Sequence, residues 1–339
     1  MTPISYPNDK KTKFLILRFS SIGDIVLTTP VVRCLKLQYP NAEVHFATKM
    51  QFKVLVENNP YIDKYFLLEK SLSSFVKTLQ SEDYDYVIDL HNNLRTSIIK
   101  FRLKSNPTLP FEPSNRPTGR VLNFDKLNVK KWLLVNLKIN RMPEVHIVDR
   151  YLKTVESLGV KNDNQGLDYF IPVKDFIEVN DNFVAYAIGG QHFTKKLPTH
   201  KIIEICKNLN TKIYLLGGKE DFETGEVIQK AVGEKVINAC GSYNLNQSAS
   251  ILQQADYVIS HDTGLMHIAA ALKKRIISIW GNTVPEFGMY PYLNDYAERR
   301  PQIVENKNLS CRPCSKIGYN QCPKGHFKCM EELDIEQIK

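Results

Sequence analysis

The sequence predicts an α/β protein built from two Rossmann-like, doubly wound domains that face a central cleft. Short apolar runs alternate with longer amphipathic runs, which is typical of parallel sheets covered by helices. The same pattern starts again in the second half of the chain. In addition, 339 residues exceed what a single domain of roughly 150 residues needs. Two domains are therefore expected.

Nine short apolar runs are predicted to be strands, because they are rich in β-branched and aromatic residues. They lie at 14–19, 43–48, 64–68, 84–90, 183–190, 212–218, 235–240, 257–262 and 275–281. Residues 146–159 predict a helix that ends at Gly159 and precedes the helix-breaking Pro172. We therefore expect a first domain over 1–172 and a second over 173–339, with a hinge near 165–180.

The overall charge of the chain is +9, which favours anionic partners such as nucleic acid, a phosphorylated small molecule or an acidic lipid surface. Its first residues are polar and unlike a signal peptide, and its apolar runs fall short of the ~18 residues that a membrane span needs. A cytoplasmic location is expected.

The segment from Arg116 to Arg141 contains seven basic residues and the single acid Asp125. This segment is either a solvated helix face or a surface that meets an anionic membrane.

The stretch HDTGLMHIAAAL, 261–272, predicts an anion site after a strand of the second half. Asp262 or Thr263 can cap a helix that begins near Gly264, and the backbone N–H groups of that helix would point at a phosphate. His267 could donate to the same phosphate, or it could be an ordinary core histidine.

Neighbouring strand ends add charged side chains. Lys195 and Lys196 follow a glycine pair and would bring a cation to the phosphates. Glu220 and Asp221 could accept hydrogen bonds from ribose hydroxyls, or cap a helix. The turn-rich loop 280–292 could form the wall of a base or sugar pocket. The sequence contains neither G-x-G-x-x-G nor the P-loop pattern, which disfavours nicotinamide-dependent hydride transfer and P-loop phosphoryl transfer.

Four stretches, in this order, resemble the bacterial heptosyltransferases of glycosyltransferase family 9: RFSSIGDIVLTTPVVRCLK, IGGQHFTKKLP, HDTGLMHIAAAL and WGNTVPEFGMYPY. The resemblance spans roughly residues 13–330. It implies a GT-B fold with an N-terminal acceptor domain and a C-terminal donor domain. It also implies inverting, metal-independent transfer from a nucleotide-activated heptose, usually ADP-L-glycero-D-manno-heptose, without a catalytic cofactor. The implied acceptor is of the lipid A/Kdo type in the lipopolysaccharide inner core, with peripheral contact to the inner membrane face and no nucleic acid partner.

On the acceptor side, the resemblance implies that Asp24 is the general base, although a carboxylate at this position could instead cap the next helix. Gly23 would permit the turn, and Ser20 and Ser21 would bind the acceptor or hold the loop. Arg95 would bind an anionic group of the acceptor, or form a structural salt bridge.

On the donor side, the resemblance implies a set of residues that bind the nucleotide sugar. Glu220 is assigned to the ribose, with Asp221 or Glu223 as alternatives. Leu197 stands where the family usually has an aromatic residue, so either lysine before it could be the phosphate ligand. Residues 100–145 match no family pattern. The donor set is Lys195, Lys196, Glu220, Asp262, Thr263, Gly264, Leu265 and His267.

Four of the seven cysteines crowd into one C-terminal stretch with His326. The C-x-x-C spacing favours a structural zinc ion in a reducing compartment, with free thiols or a redox role as the alternative. The candidate ligands are Cys311, Cys314, Cys322 and Cys329. The other three, Cys34, Cys206 and Cys240, have apolar neighbours and are expected to be packing residues.

Two other functions compete with sugar transfer. A GT-B relative could epimerise or hydrolyse a nucleotide sugar without any acceptor. The positive charge and the cysteine cluster are also compatible with a zinc-bearing nucleic-acid-binding protein. That protein would have no use for Asp24 or for the loop at 261–267.

Overall fold

A computed structural model describes residues 11–104, 120–293 and 301–338. The described residues fall into two compact units. The first takes its residues from the ranges Met1–Ser20, Val31–Asp125 and Tyr151–Asp163, and the second from Ser21–Pro30, Lys126–Arg150 and Asn164–Lys339. The chain therefore passes between the units several times. Residues 116–119, the start of the predicted basic segment, lie outside the described residues.

The first unit is built on a parallel sheet of five strands in the order β3-β2-β1-β4-β5. The central strand β1 has a continuous buried apolar run because helices cover both faces of such a sheet. At the end of β1, Leu17 is in register with Ala47 of β2 and Asp89 of β4. The strands are β1 Lys13–Leu17, β2 Glu43–Lys49, β3 Lys64–Leu68, β4 Tyr86–Asp89 and β5 Arg120–Asn123.

The helices of this half begin and end at recognisable signals. Ser71 caps α3 by accepting a hydrogen bond from the Ser74 N–H at 3.2 Å. A short 3₁₀ turn extends α6, and the chain then leaves through Gly159 with φ of +80°, which glycine adopts without a steric penalty. This ending confirms the predicted helix at 146–159. The helices of the N-terminal half of the chain are α1 Ile22–Val26, α2 Thr29–Gln38, α3 Leu72–Gln80, α4 Leu94–Lys104, α5 Asn128–Trp132 and α6 Ile147–Val155. Of these, α1 and α5 belong to the second unit, and α2 and α6 each have residues in both units.

The second unit contains a parallel sheet of six strands in the order β11-β10-β9-β6-β7-β8. Counted from β6, this is the Rossmann order 3-2-1-4-5-6 read from the other edge, so the topological switch point lies between β6 and β9. Side chains of β6 and β10 are fully buried. The strands are β6 Phe183–Ala187, β7 Lys212–Leu216, β8 Val236–Asn238, β9 Val258–His261, β10 Ile276–Trp280 and β11 Gln302–Glu305.

The remaining helices pack on the second sheet. They are α7 Thr199–Asn208, α8 Phe222–Val232, α9 Leu245–Gln254, α10 Gly264–Ala271 and α11 Lys328–Glu331. Among the described residues, none of the helices is long and apolar enough to cross a membrane. All nine predicted strands are confirmed, with ends shifted by a few residues. The edge strands β5 and β11 were not predicted. The two Rossmann-like sheets confirm the predicted fold class.

Candidate active site

The candidate donor site lies at the switch point of the second sheet. The loop that follows β6 carries Lys195 and Lys196, and the loop that follows the adjacent β9 carries Asp262 and Thr263. Ligands of open α/β sheets bind at the carboxyl ends of the strands at this point, because the loops there run to opposite faces. The structure therefore brings together the two loops that the sequence analysis assigned to phosphate binding.

Asp262 holds these loops together. Its Oδ2 lies 2.6 Å from Lys195 Nζ and accepts a hydrogen bond from the Thr283 hydroxyl at 2.8 Å. The sequence predicted that Asp262 or Thr263 would cap α10. Thr263 is the N-cap residue, but within the described residues its side chain accepts no hydrogen bond from the helix. The predicted N-cap position is therefore confirmed at Thr263, without a side-chain bond to the helix, whereas Lys195 and Thr283, which come from other loops, bind the Asp262 carboxylate.

The second lysine has a different partner. Lys196 Nζ lies 3.2 Å from Oδ1 of the buried Asp221, whose Oδ2 accepts the Gly218 N–H at 3.0 Å. Asp221 is thus committed to its own loop and to Lys196. The carboxylate of Glu220 lies against Gly218, where any side chain would collide with it. Of the two lysines, Lys195 is the one that reaches the start of α10.

Asp24 lies in the first turn of the short helix α1. Ser21 is its N-cap residue and donates both its backbone N–H, at 3.1 Å, and its hydroxyl, at 2.9 Å, to Asp24 Oδ2. The bond from the Ser21 N–H to the Asp24 carboxylate is one half of a capping box. Asp24 therefore does take part in helix capping, and the same contacts fix the orientation of its carboxylate.

Helix α1 packs against α10 through two glycines. A Cβ on Gly23 would overlap the imidazole of His267, and a Cβ on Gly264 would lie 2.8 Å from Ile22 Cγ2. The turn expected at Gly23 is instead the first turn of a helix, and the residue is needed for space rather than for an unusual φ. Close approach to Ile22 is likewise a reason for glycine at the start of α10.

His267 is surrounded by the charged residues of the candidate site. Burial lowers its pKa to about 4, Asp262 and Asp24 oppose this change, and Lys195 adds to it. The ring is therefore neutral at pH 7. Its Nδ1 is buried and has no hydrogen-bond partner in the part of the chain that the structure describes. A single side chain thus lies near the candidate base and near the candidate phosphate ligands.

One basic residue near Asp24, Lys131, was not predicted from the sequence. Burial, followed by the repulsion of Arg150, lowers the pKa of Lys131 to about 8, while attraction to Asp24 raises it and Lys316 lowers it further. Arg150 itself is nearly buried. Lys131 belongs to the basic segment that the sequence analysis assigned to solvent or a membrane. Its closeness to Asp24 depends on tertiary packing, for which the sequence contains no local signal.

Two of the predicted acceptor residues, Ser20 and Arg95, lie in the first unit. Arg95 stacks over the ring of Phe19 at 5.7 Å in a cation–π contact, and it forms no salt bridge, the alternative to acceptor binding, with any residue that the structure describes. Ser20 accepts a hydrogen bond at its carbonyl from Arg18 Nε at 2.9 Å. Asp89, at the end of β4, pairs with Lys100 at 2.6 Å.

The four cysteines of the C-terminal stretch lie near one another but are not arranged as a complete set of metal ligands. The pKa of Cys314 is raised to about 11 and that of Cys329 to about 12, first by burial and further by nearby thiols of the cluster. Cys311 Sγ lies 3.9 Å from His326 Nε2. The described ranges contain no group of three or more His, Cys, Asp or Glu side chains arranged to hold a metal ion. As predicted, the packing cysteines are buried: Cys34, Cys206 and Cys240.

Comparison with known proteins decides the family. Residues 72–322 match the model of glycosyltransferase family 9 (heptosyltransferase). The chain belongs to this family. Lipooligosaccharide heptosyltransferase 2 of Haemophilus influenzae is 25% identical over 335 residues, which cover 91% of this chain and 93% of the relative. Lipopolysaccharide heptosyltransferase 1 of Campylobacter coli is 24% identical, and the alignment covers 88% of this chain and 92% of that relative.

Solved structures support the fold. The heptosyltransferase WaaC of E. coli, solved with ADP, superposes with a TM-score of 0.66 at 19% identity. The superposition covers 86% of this chain and 92% of the WaaC chain. The iron-containing dodecameric glycosyltransferase TibC of enterotoxigenic E. coli superposes with a TM-score of 0.56 at 13% identity. The superposition covers 97% of this chain and 74% of the TibC chain. The family 9 chain described here thus has the GT-B type of fold and is a glycosyltransferase. The family assignment supports sugar transfer over the epimerase, hydrolase and nucleic-acid-binding alternatives.

Proposed function

We propose that this family 9 enzyme transfers a heptose from ADP-heptose, with inversion, to an acidic lipid-linked oligosaccharide of the lipopolysaccharide inner core. The observation that carries the proposal is the packing of α1 on α10, because it brings Asp24 and the phosphate-binding start of α10 close to the same histidine, His267. The names of the relatives supply the choice of heptose and lipopolysaccharide.

In the proposed mechanism, Asp24 is the general base. Its carboxylate takes the proton of an acceptor hydroxyl while that oxygen attacks the anomeric carbon. The bond between this carbon and the β-phosphate oxygen breaks on the opposite face, and ADP leaves with its electron pair. Ser21 fixes the carboxylate through two hydrogen bonds, which removes one source of misalignment.

The departing diphosphate gains negative charge, and we assign its stabilisation to the start of α10 and to Lys195. The helix contributes N–H groups at Thr263, Gly264 and Leu265 and the positive end of its dipole. Lys195 already lies beside Asp262, and Nδ1 of His267 can donate a further hydrogen bond. We propose that these groups act in place of a divalent cation.

The nucleoside and the acceptor are assigned to different residues. Glu220 is proposed for the ribose, since Asp221 is already bound to Lys196. Lys131 near Asp24, and Arg150 near Lys131, are cations that suit an acidic acceptor. Acceptor roles for Ser20, Ser21, Gly23 and Arg95, and the division into an acceptor domain 1–172 and a donor domain 173–339, are part of the same proposal. We place the enzyme in the cytoplasm, at the membrane face where its lipid-linked acceptor would be found.

We further propose that the cysteine cluster holds a structural zinc ion that takes no part in the chemistry. The residues fit such a site in part, because the four thiols are close enough to influence one another. Zinc would require Cys311, Cys314, Cys322 and Cys329 to converge as thiolates. Metal analysis of the purified protein for zinc and iron, with Cys314→Ser as the comparison, tests this. About one zinc per chain, lost in the variant, is expected; iron, or no metal, would contradict it.

The function is tested with ADP-heptose and truncated Kdo-lipid A. Asp24→Asn should lower kcat by about 10²–10⁴ while leaving the Kd for ADP within a few fold, because the base acts on the acceptor. Asp334→Asn, a carboxylate in the C-terminal tail, is the matched control. Release of ADP that does not depend on acceptor would indicate a hydrolase, and full activity of Asp24→Asn would rule out the assigned base.

A further inference from the structure

The segment 126–145 exposes more apolar surface than a solvated loop requires. Trp132 is 56% exposed and Val129 is 73% exposed, both on α5. Leu137, Ile139 and Val145 are exposed by 53%, 45% and 43%. Single exposed apolar side chains are ordinary on protein surfaces, but such a concentration within one short segment indicates a contact surface.

The segment is firmly attached on its inner side. Leu134 is buried against Val284 and Phe287, in the loop that follows β10. Lys138 Nζ donates hydrogen bonds to the carbonyl oxygens of Cys311, at 2.9 Å, and Pro313, at 2.7 Å. The exposure of Trp132 is therefore a property of a packed element and does not result from a frayed helix end.

The charges of the segment select the kind of partner. It contains five basic residues and the single acid Glu144. Lysine is depleted at protein–protein interfaces, whereas tryptophan beside lysine and arginine is typical of elements that lie in the interface of an anionic bilayer. Of the five basic residues, Lys130 and Arg141 are exposed, Lys126 and Lys131 are half-buried, and Lys138 is exposed but donates to the two carbonyl oxygens named above.

We infer that the segment 126–145 docks the enzyme on an anionic lipid bilayer, with Trp132 and Val129 inserted among the headgroups. This inference rests on the proposed function, because a lipid-linked acceptor has to be taken from a membrane. It also names the surface that makes the contact. Trp132 directly follows Lys131, which lies near Asp24, so docking at this segment brings the carboxylate close to the bilayer surface.

Tryptophan fluorescence tests the inference directly. The chain has two tryptophans, and Trp280 is only 1% exposed. Vesicles of phosphatidylethanolamine and phosphatidylglycerol should shift the emission of Trp132 to the blue, and brominated lipids should quench it. The change should be absent in Trp132→Phe and should weaken at high salt. Unchanged emission of the parent protein with these vesicles would overturn the inference.

Matched variants separate docking from chemistry. Val129→Ser with Trp132→Ser should weaken vesicle binding by about tenfold or more, because two inserted apolar side chains are lost. Val227→Ser, at a 54% exposed position on α8, is the control and should bind as the parent does. Equal binding of all three proteins, or equal binding of the parent to purely zwitterionic vesicles, would overturn the inference and leave this face to a protein partner.

Activity on two acceptors distinguishes failure of this inference from failure of the proposed function. The double variant should keep the parent's kcat/KM on a deacylated, water-soluble acceptor and lose activity on vesicle-embedded acceptor. Equal loss on both acceptors would contradict a docking role. If the parent binds vesicles through Trp132 but transfers no heptose to either acceptor, the proposed function fails and the docking surface stands.

Discussion

Replacing Gly23 by alanine tests the contact between α1 and α10. The new Cβ would lie closer than 3.0 Å to Cδ2 of the buried His267 ring, 3.2 Å from its Nε2 and 3.4 Å from its Cγ. Carbon atoms normally pack about 3.5–4.0 Å apart, so the two helices would have to separate by roughly 1–1.5 Å. Asp24, the next residue, would move with α1.

Two effects of different size are expected. Overpacking costs about 1–3 kcal/mol, and the better helix propensity of alanine returns about 0.5–1 kcal/mol, so the free energy of unfolding should fall by roughly 0–2.5 kcal/mol. A shift of about 1 Å at a catalytic group can cost 10²-fold in rate. Gly23→Ala should therefore remain folded and lose activity by about that factor, with little change in the Kd for ADP.

A double-mutant cycle with His267→Ala provides the assay. All the ring atoms that the new Cβ would meet are removed in His267→Ala, so adding Gly23→Ala in that background should be neutral or stabilising in urea unfolding. Rates with ADP-heptose and acceptor are measured on the same proteins. A folded Gly23→Ala variant with kcat within threefold of the parent, or an equal stability cost in both backgrounds, would refute the reasoning.

Three further predictions concern the charged groups. Lys195→Ala should lower kcat/KM for the donor by about 10²–10³, whereas Lys196→Ala should have a much smaller effect; the reverse order would reassign the phosphate ligand. His267 has a folded pKa of about 4 against about 6.5 unfolded, so only the unfolded state takes up its proton as the pH falls from 6.5 towards 4. Stability should drop by roughly 2 kcal/mol at pH 5 from this residue, and urea unfolding of His267→Gln should show a correspondingly smaller drop between pH 7 and pH 5. Arg312→Met should destabilise by about 3–5 kcal/mol, because the nearly buried carboxylate of Glu305, 2.9 Å away, loses its closest partner and four backbone carbonyl oxygens lose a donor; replacing both by methionine should recover part of the loss, and no recovery would contradict the pairing.

Periodicity predicted the fold because both sheets are parallel and buried on both faces. Their central strands are continuous apolar runs, which the sequence displays directly. The strands β5 and β11 were not predicted, because they are four-residue edge strands with polar residues at both ends. Edge strands are covered on fewer sides and need fewer apolar residues.

The candidate site was predictable where neighbouring strand ends share an edge of the sheet. The sequence therefore predicted that Lys195 and Asp262 lie close together, and they do. It could not choose Lys195 over Lys196, which required the position of Asp221. It also missed Lys131, because the packing of that segment beside Asp24 is decided by tertiary contacts. The packing of α1 on α10 is marked in the sequence only by a glycine in each of the two motifs, Gly23 and Gly264.

The second unit includes Ser21–Pro30, a piece made near the start of synthesis, and this has a consequence for the growing chain. Helix α1 cannot pack against α10 until α10 has left the ribosome, and α10 is synthesised about 240 residues after α1. At roughly 5–20 residues per second this delay is on the order of tens of seconds. During that time the apolar side of α1 is uncovered, so nascent chains released before α10 should be prominent clients of chaperones.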